Sequence, residues 1–591
     1  MSIVALDKVT LVGHLGDKEE VLADLQDLGC LHLIPLTPRG EAADDTGPSK
    51  EAREALRFLA SAPQRRRQVT DSRRFDAAEV ESQALELQRR LFELRNERDY
   101  LSTRIQNLEP WGDFEFPPRE MLAGQRLWFF QVPRHQMKDV AATDLRWEVV
   151  QRDPRFYYVV VVSKMQPEGM PVARVRTGKR SRRELLERLE EVELELEDTE
   201  AERTSLTRWC TLLGRALDGL EDRAARAQAS AQTAVADPVY ALQAWIPRDR
   251  VGELNAYAAR RRLALQVSEP DPAEEPPTLF HNRPRLRAGE DLVRFYMTPA
   301  YWLWDPSPVV FVSFAIFFAM ILADAGYGLL FGAIVLAYWR RMGGSEAGRR
   351  WRVLLGALTA ATAAYGVAGG SYFGVTPPPG SVLGRLRVLD LGDFSLMMAL
   401  SIVIGAVHIA YACVRDGLRH RRWPLRLPPF GWAAIVLGGL GAWGGNQLES
   451  PPLLAGALVC LGSGLLLVIA FSGYGDKPFK RIFKGLSALT RLSGAFGDVL
   501  SYLRLFALGL ASASLAVAFN EMAGEIRQAV PGVGVFFALV VLVIGHALNF
   551  ALSASSGFIH GLRLNVIEFF NWGVNEEGKP YRPFERKESA S

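Results

Sequence analysis

The chain has 591 residues, 49% of them hydrophobic and 23% charged, with a formal net charge of +3. That near balance, with arginines spread over helical and loop segments and not gathered in one basic patch, gives no reason to expect a nucleic-acid partner. The cysteines Cys30, Cys210, Cys413 and Cys460 stand far apart without a CxxC spacing, so neither a zinc cluster nor a disulfide framework is expected, and no cofactor. The averages conceal two halves of opposite character. Residues from Met1 to about Asn282 are charged and soluble in type, with a reducing, cytosolic setting; from Trp302 onward long apolar runs alternate with short basic loops.

The opening IVALDKVTLVGHL alternates and is β-branched, DKEEVLADLQDLG is amphipathic, and CLHLIPL is extended again, which reads as strand, helix, strand. The same grammar returns at 125–164 (QRLWFFQVP, HQMKDVAATDL, RFYYVVVVSK) and at 240–268. Two heptad stretches lie between these units. Leu87, Leu91, Leu94, Leu101, Ile105 and Leu108 keep the 4,3 spacing of a coiled-coil seam, with Arg98 as the polar exception. The second seam runs through Leu185, Leu189, Val192, Leu196, Thr199, Arg203, Leu206, Cys210, Leu213, Leu217 and Leu220.

A compact lobe separates the seams, so the economical arrangement is an α+β dumbbell, α/β lobes on an antiparallel coiled-coil hairpin. Its parts are a proximal lobe (1–80 plus 235–270), helices at 81–109 and 180–225, a distal lobe at 110–175 and a Pro- and acid-rich linker at 268–285. Independent exposed helices or parallel homodimeric zippers are the competing reading. A polytopic all-α membrane domain (300–572) and a cytoplasmic tail (573–591) follow.

Apolar runs long enough to cross about 30 Å of hydrocarbon occupy roughly 309–338, 353–373, 394–413, 430–446, 452–471, 492–520 and 532–570. Arginine crowds the first and third loops between them (Arg340, Arg341, Arg349; Arg415, Arg419, Arg422), and Lys477, Lys480, Arg481, Lys484 and Arg491 fill the fifth. By the positive-inside rule these loops and the C-terminus are cytoplasmic. A single span over 309–338 would then put the soluble half outside, although MSIVALDKV lacks the features of a signal peptide. A break at Asp324-Ala325-Gly326 removes the conflict. The expectation is therefore about eight spans with both termini cytoplasmic, in a prokaryotic plasma membrane; one long helix with a functional Asp324 is the alternative.

The last two runs are long and must tilt or project. On the final one, His546, Asn549, Ser553, Ser556, His560 and Arg563 advance by alternating steps of three and four, which keeps them on one face. On the preceding run, Asp498, Ser501 and Arg504 share a face. A buried arginine costs about 2.5–3.5 kcal/mol on insertion scales and cannot shed its charge. Asp498 sits nearly two turns before Arg504 and Glu568 lies beyond Arg563 near the interface, so neither is an obvious mate. The expectation is a carboxylate supplied by another chain.

The segment YLRLFALGLA, with GFIHGLRLNVIEFFN on the last run and FFAMILADAGYG on the first, resembles the membrane subunit of V-type and A-type rotary ATPases, subunit a, called subunit I in bacteria and archaea. The resemblance covers the whole chain. It implies a stator subunit that does not itself catalyse ATP chemistry but translocates protons within an ATPase or ATP synthase complex. Arg504 would face the buried carboxylate of a rotating proteolipid ring and force its ionisation; Arg563 would assist from the neighbouring helix. Two ion half-channels would be lined by Ser501, His546, Asn549, Ser553, Ser556, His560, Glu568 and Asp498, with His546 and His560 as relays titrating near about 6.5. Further partners implied are peripheral-stalk subunits, a central-stalk subunit at the ring and, indirectly, a soluble nucleotide-binding sector. Eukaryotic members place His and Gln where Ser512 and Ser514 stand here, so no relay role passes to those two.

A secondary ion transporter with a coiled-coil cytoplasmic domain is the alternative. It predicts an inverted repeat and a site at broken midplane helices, and no convincing repeat is visible. A membrane-anchored scaffold explains the heptads but not Arg504. No GxxxxGK[ST] phosphate loop is present, so any ATP is handled by partners.

Overall fold

The computed structural model of the chain describes residues 3–37, 47–114, 121–178, 180–529 and 532–587. Parts of the expected lobes, membrane domain and tail (1–2, 38–46, 115–120, 530–531 and 588–591), and residue 179 just before the second coil, lie outside the described residues. Two compact units result. One comprises Leu15–Gly29, Pro35–Ala234 and Phe584–Ser591, the other Met1–His14, Cys30–Ile34 and Val235–Pro583.

In the first unit, α1 (Lys18–Leu28) is held to α5 (Cys210–Gln232) by Lys18 Nζ donating to the Ser230 carbonyl at 2.9 Å and Arg226 donating to Gln26 at 2.8 Å. Between them in sequence come α2 (Lys50–Ala60), α3 (Ala77–Leu108) and α4 (Arg182–Leu206). The heptad residues Leu91, Leu94 and Leu101 of α3 bury against Leu185, Val192 and Leu196 of α4. The ion pairs Glu97–Arg188 and Arg95–Glu200 run in opposite order along the two helices, so they lie antiparallel.

Arg203 keeps its seam position because its guanidinium stacks on Phe58 at 4.2 Å and donates to the Phe58 carbonyl at 2.7 Å. Arg98 turns outward to Asp99. The second seam is not one helix: a 3-10 turn at Thr207–Trp209 separates α4 from α5, and Leu220, the last residue of the expected seam, is exposed.

The sheet of this unit is antiparallel, with Arg126–Pro133 between Phe156–Ser163 and Arg174–Val175, and Trp147–Arg152 outermost beside Phe156–Ser163. Its period-2 pattern serves both faces. Phe129 and Tyr158 join the cluster on the α3–α4 seam, while Phe130, Val132, Val159 and Val161 bury on the other side.

The second unit holds another antiparallel sheet, in which Leu6–His14 lies between Val239–Pro247 and Ala264–Ser268, and His32–Ile34 pairs with Val239–Pro247. The linker and tail do not hang free. They pair with each other, Thr278 N donating to the Lys579 carbonyl at 2.7 Å, and dock on the sheet through Val4 N to Leu279 O at 2.9 Å and Tyr581 Oη to Cys30 O at 2.5 Å. This sheet therefore falls in the same unit as the apolar helices, and not with the coil as the expected proximal lobe would have it.

From α6 (Val251–Arg261) and α7 (Arg287–Tyr296) the chain passes into α8 (Ser307–Leu322), α9 (Ala325–Met342), α10 (Glu346–Gly369), α11 (Phe394–Arg419), α12 (Trp423–Gln447) and α13 (Pro451–Phe471). Then come a short basic helix α14 (Pro478–Ala488), α15 (Leu492–Leu500), α16 (Leu503–Ala529) and α17 (Gly534–Arg563). Among the described residues, six stretches are long and apolar enough to cross a membrane: α10, α11, α12, α13, Pro478–Ala529 and Gly534–Gly573. α8 is a shorter apolar helix. This is a helical C-terminal region with six candidate spans, where about eight were expected.

The chain does break where α8 meets α9. Ala323 takes φ 51° and the Asp324 carboxylate accepts the Tyr327 N–H at 3.0 Å, capping α9. α8 is buried over most of its girth, Phe314, Phe317, Phe318, Ile321 and Leu322 being at most 1% exposed while Val312 and Ile316 stay exposed on one side, so it is a pillar on which the others pack. The helix bearing Arg504 comes close to it: a Cβ at Gly509 would lie 2.5 Å from the Met320 carbonyl.

Candidate functional site

Arg504 opens α16, one residue after a turn anchored by Tyr502. That side chain is fully buried, hydrogen-bonds His408 Nδ1 at 2.8 Å and meets Phe317 edge-on at 5.7 Å. His408 stacks in turn on Phe569 at 4.2 Å. The start of α16 is thus clamped to the segment that follows α17.

That segment, Leu564–Phe569, is π-helical. Asn565, fully buried, fastens it to α8 by accepting from Ser313 and donates back to the Gly561 carbonyl of α17 at 3.0 Å. In an α-helix Glu568, five residues past Arg563, would point about 140° away from it. The wider π turn brings residues five apart into register. Glu568 consequently sits between both arginines, its Oε1 3.8 Å from Arg504 Nη1 and 3.9 Å from Arg563 Nε, with the acid only 3% exposed.

This corrects the expectation that Arg504 has no mate in its own polypeptide. The contact is nevertheless electrostatic and too long for a hydrogen bond. Arg504 Nη1 and Glu568 Oε2 are both buried without a hydrogen-bond partner. The Arg504 side chain keeps 22% of its surface exposed and Arg563 51%. His560 is half-buried nearby, with its Nδ1 also unbonded.

The other predicted residues divide. Asp498 lies apart from the arginines as a tether, accepting from Trp572 Nε1 at 2.7 Å and Asn571 Nδ2 at 3.2 Å. Ser501 spends its hydroxyl on the Gly497 carbonyl of its own helix. His546, Asn549 and Ser553 form a second cluster, Ser553 standing ten residues and roughly 15 Å of helix from Arg563. Ser556, half-buried between the clusters, joins the hydrogen bonds of neither.

In the second cluster, Asn549 Nδ2 donates to Tyr327 Oη and to the Ser512 carbonyl, both at 2.9 Å, and Ser553 donates to Ser512 Oγ at 2.8 Å. Asn520 gives its Nδ2 to the Phe373 carbonyl at 2.8 Å, so its oxygen faces His546 Nε2 at 3.1 Å. Nε2 therefore carries the proton, and Nδ1 accepts from Tyr327 Oη at 2.8 Å. The result is one directed chain, Asn549 to Tyr327 to His546 to Asn520.

Tyr327 and Asn520 were not singled out from the sequence, and Ser512 was named there only to be denied a relay role. The available signal was a hydroxyl and an amide inside apolar helices. Asp324 is fully used: besides capping α9 it accepts from Ser371 Oγ at 2.6 Å and from the N–H groups of Phe373 and Gly374, both at 2.9 Å. It ties the α8–α9 break to the loop after α10. No group of three or more metal-ligating side chains occurs among the described residues.

No family model matches the chain. Curated relatives do. An "A-type ATP synthase subunit I" from Methanocaldococcus jannaschii is 27% identical over 443 residues, covering 67% of this chain and 63% of the relative. A "V-type ATP synthase subunit I" from Chlamydia pneumoniae is 29% identical over 418 residues, covering 59% and 61%. This chain is a relative of A-type and V-type ATP synthase subunit I. A "V-type ATP synthase subunit I 1" of Treponema pallidum agrees at 29% over 368 residues, covering 58% of this chain and 57% of the relative.

The matched stretch spans less than two thirds of the length of each of these subunits I. A solved structure titled as the cytoplasmic N-terminal domain of subunit I, homolog of subunit a, of V-ATPase aligns over 44% of this chain at 18% identity, but its TM-score of 0.23 is too low to carry a fold argument. The candidate spans and the subunit I relatives make this a multi-pass membrane protein.

Proposed function

We propose that the chain is the stator membrane subunit of a V/A-type rotary ATPase or ATP synthase, with no ATP chemistry of its own. It forms two ion half-channels against a rotating proteolipid ring and ties the membrane sector to peripheral stalks. The ring bears a central-stalk subunit that leads to the nucleotide-binding sector, and both termini lie in the cytoplasm.

The observation that carries this is the state of Arg504. Its side chain is fixed among apolar helices and partly exposed, with Nη1 buried and unbonded and a carboxylate held at 3.8 Å from it, beyond bonding distance. A passing ring carboxylate that reaches about 2.8 Å gains a charge-assisted hydrogen bond, worth roughly 1.5–3 kcal/mol net. That gain favours its ionised form, and its proton leaves by the half-channel. Glu568, between the two arginines, limits how tightly they hold the visitor, so the ring can move on.

Two polar clusters along α17 and the π-helical segment after it suit two separate aqueous paths: His560, Arg563 and Glu568 at one level, and His546, Asn549 and Ser553 at another. The test is Arg504→Ala in the complex reconstituted in vesicles. ATP-driven pumping should vanish while the ring and stalk subunits still co-purify. Normal pumping by this variant removes the reading.

A further inference from the structure

Between α11, α12, α13 and α15 lies a cavity of about 730 Å³, within the roughly 300–1,000 Å³ typical of small-ligand sites. Ile402, Val436, Leu461 and Val499 are among its walls, and Ser493 supplies the only hydroxyl. Phe496, at its rim, is 67% exposed, so the cavity opens on the outer surface of the candidate spans, where the medium is hydrocarbon. Left empty, such walls forfeit dispersion contacts on one side. In a bilayer the occupant on hand is an acyl chain.

α14 supplies a second, independent indication. It exposes Phe479 (86%) and Phe483 (71%) on a helix that also carries Lys480, Arg481 and Lys484, the make-up of a helix lying in the membrane interface. A Cβ on Gly485 would lie 2.1 Å from the Ile469 carbonyl, so α14 packs on the C-terminal end of α13. A single 3-10 turn, Leu489–Arg491, joins α14 to the Leu492 and Ser493 end of the cavity.

Two of the cations there are committed: Arg481 stacks on Phe471 at 5.0 Å and Lys484 pairs with Asp476 at 2.5 Å. The side chains of Lys477 and Lys480 make no ion pair or hydrogen bond among the described residues, and both residues are exposed.

We propose that this cavity is a binding site for an anionic phospholipid of the surrounding bilayer, its acyl chain in the cavity and its headgroup on Lys477 and Lys480. The site is independent of the role assigned to Arg504. Gly439 lines the cavity, and a Cβ there meets nothing within 4 Å, so a larger side chain would occupy the space without displacing a neighbour.

The experiment uses the full chain, purified in detergent, stripped of lipid and offered equal amounts of phosphatidylglycerol and phosphatidylcholine, with bound lipid counted by native mass spectrometry. Wild type should retain phosphatidylglycerol at least tenfold over phosphatidylcholine. Gly439→Leu should lower that retention at least tenfold, and the pair Lys477→Glu and Lys480→Glu should erase the preference between the lipids. Equal retention of both lipids by wild type, or undiminished retention by Gly439→Leu, overturns the proposal. If the face takes another protein instead, wild type retains neither lipid, which also overturns it.

Should Gly439→Leu fail to fold, acyl-brominated phosphatidylglycerol decides. Trp443 lines the cavity, so quenching of tryptophan emission should be smaller in Trp443→Phe than in wild type. Identical quenching counts against the site.

Discussion

A double-mutant cycle on Arg504 and Glu568 tests whether their proximity carries energy. At 3.8 Å, unit charges attract by roughly 4 kcal/mol at an effective dielectric of about 20. The cost of desolvating a carboxylate that is 3% exposed cancels part of that. Arg504→Gln leaves the buried acid with Arg563 alone, at 3.9 Å. Glu568→Gln leaves two guanidiniums facing each other with no anion between them. The double variant has neither defect, so it should be less destabilised than the two singles summed, by about 1–3 kcal/mol.

The assay is thermal unfolding of the full chain in detergent, followed by tryptophan emission. At roughly 2–4 °C per kcal/mol for domains of about 150–250 residues, the non-additivity should be several degrees. It should persist in high salt, because screening acts weakly on buried pairs. Midpoint shifts that add to within about 1 °C, near the ~0.5 kcal/mol scatter of independent sites, would show that the contact is geometric only. Glu568 would then lose its place in the mechanism.

Three further outcomes are expected. Leu91→Ala, 2% exposed on the α3–α4 seam, should cost about 2–5 kcal/mol, whereas Phe92→Ala, 67% exposed, should stay within about 0.5 kcal/mol; resistance to limited proteolysis of the full chain ranks them. Asp324→Ala strands four donors and should lower the unfolding midpoint far more than Asp324→Asn, which keeps one acceptor oxygen. Hydrogen bonding from Lys587, and then from Arg53, holds the Glu221 carboxyl below its ordinary range. A carboxyl with a depressed folded value stabilises fully above its unfolded value of about 4.3, and the benefit fades as pH falls through the folded one. Cleavage after Lys587 should therefore accelerate below about pH 4 in wild type, and Glu221→Gln should flatten that dependence.

Much of this fold was legible because side-chain periodicity survives in the sequence wherever helices and strands are regular. The heptads picked out Leu91, Leu94, Val192 and Leu196, and alternation in RFYYVVVVSK separated the two faces of its strand. The break beside Asp324 could be located because an acid and a glycine interrupt an apolar run, and topology demanded a turn there. Arg203 shows a limit of the same method. The seam placed it inward, but only the tertiary contact with Phe58 explains how a cation is tolerated there.

The candidate site was legible residue by residue and illegible in its connections, and the cause lies in local helix geometry. The expectation that Arg504 has no mate rested on depth, Glu568 lying beyond Arg563 near the interface, and phase arithmetic at a constant 100° per residue would equally have set Glu568 apart from Arg563. One π turn invalidates the arithmetic downstream. No residue from Leu564 to Phe569 announces that turn; it is held from outside, by Ser313 on Asn565 and by the stacking of His408 on Phe569. Tyr327 was hidden for a related reason, since its value lies in reaching His546 and Asn549 across a helix interface. A π turn held from a neighbouring helix makes the position of Glu568 depend on α8 and α11, and substitutions at Ser313 or His408 are therefore expected to act on the arginine pair without touching it.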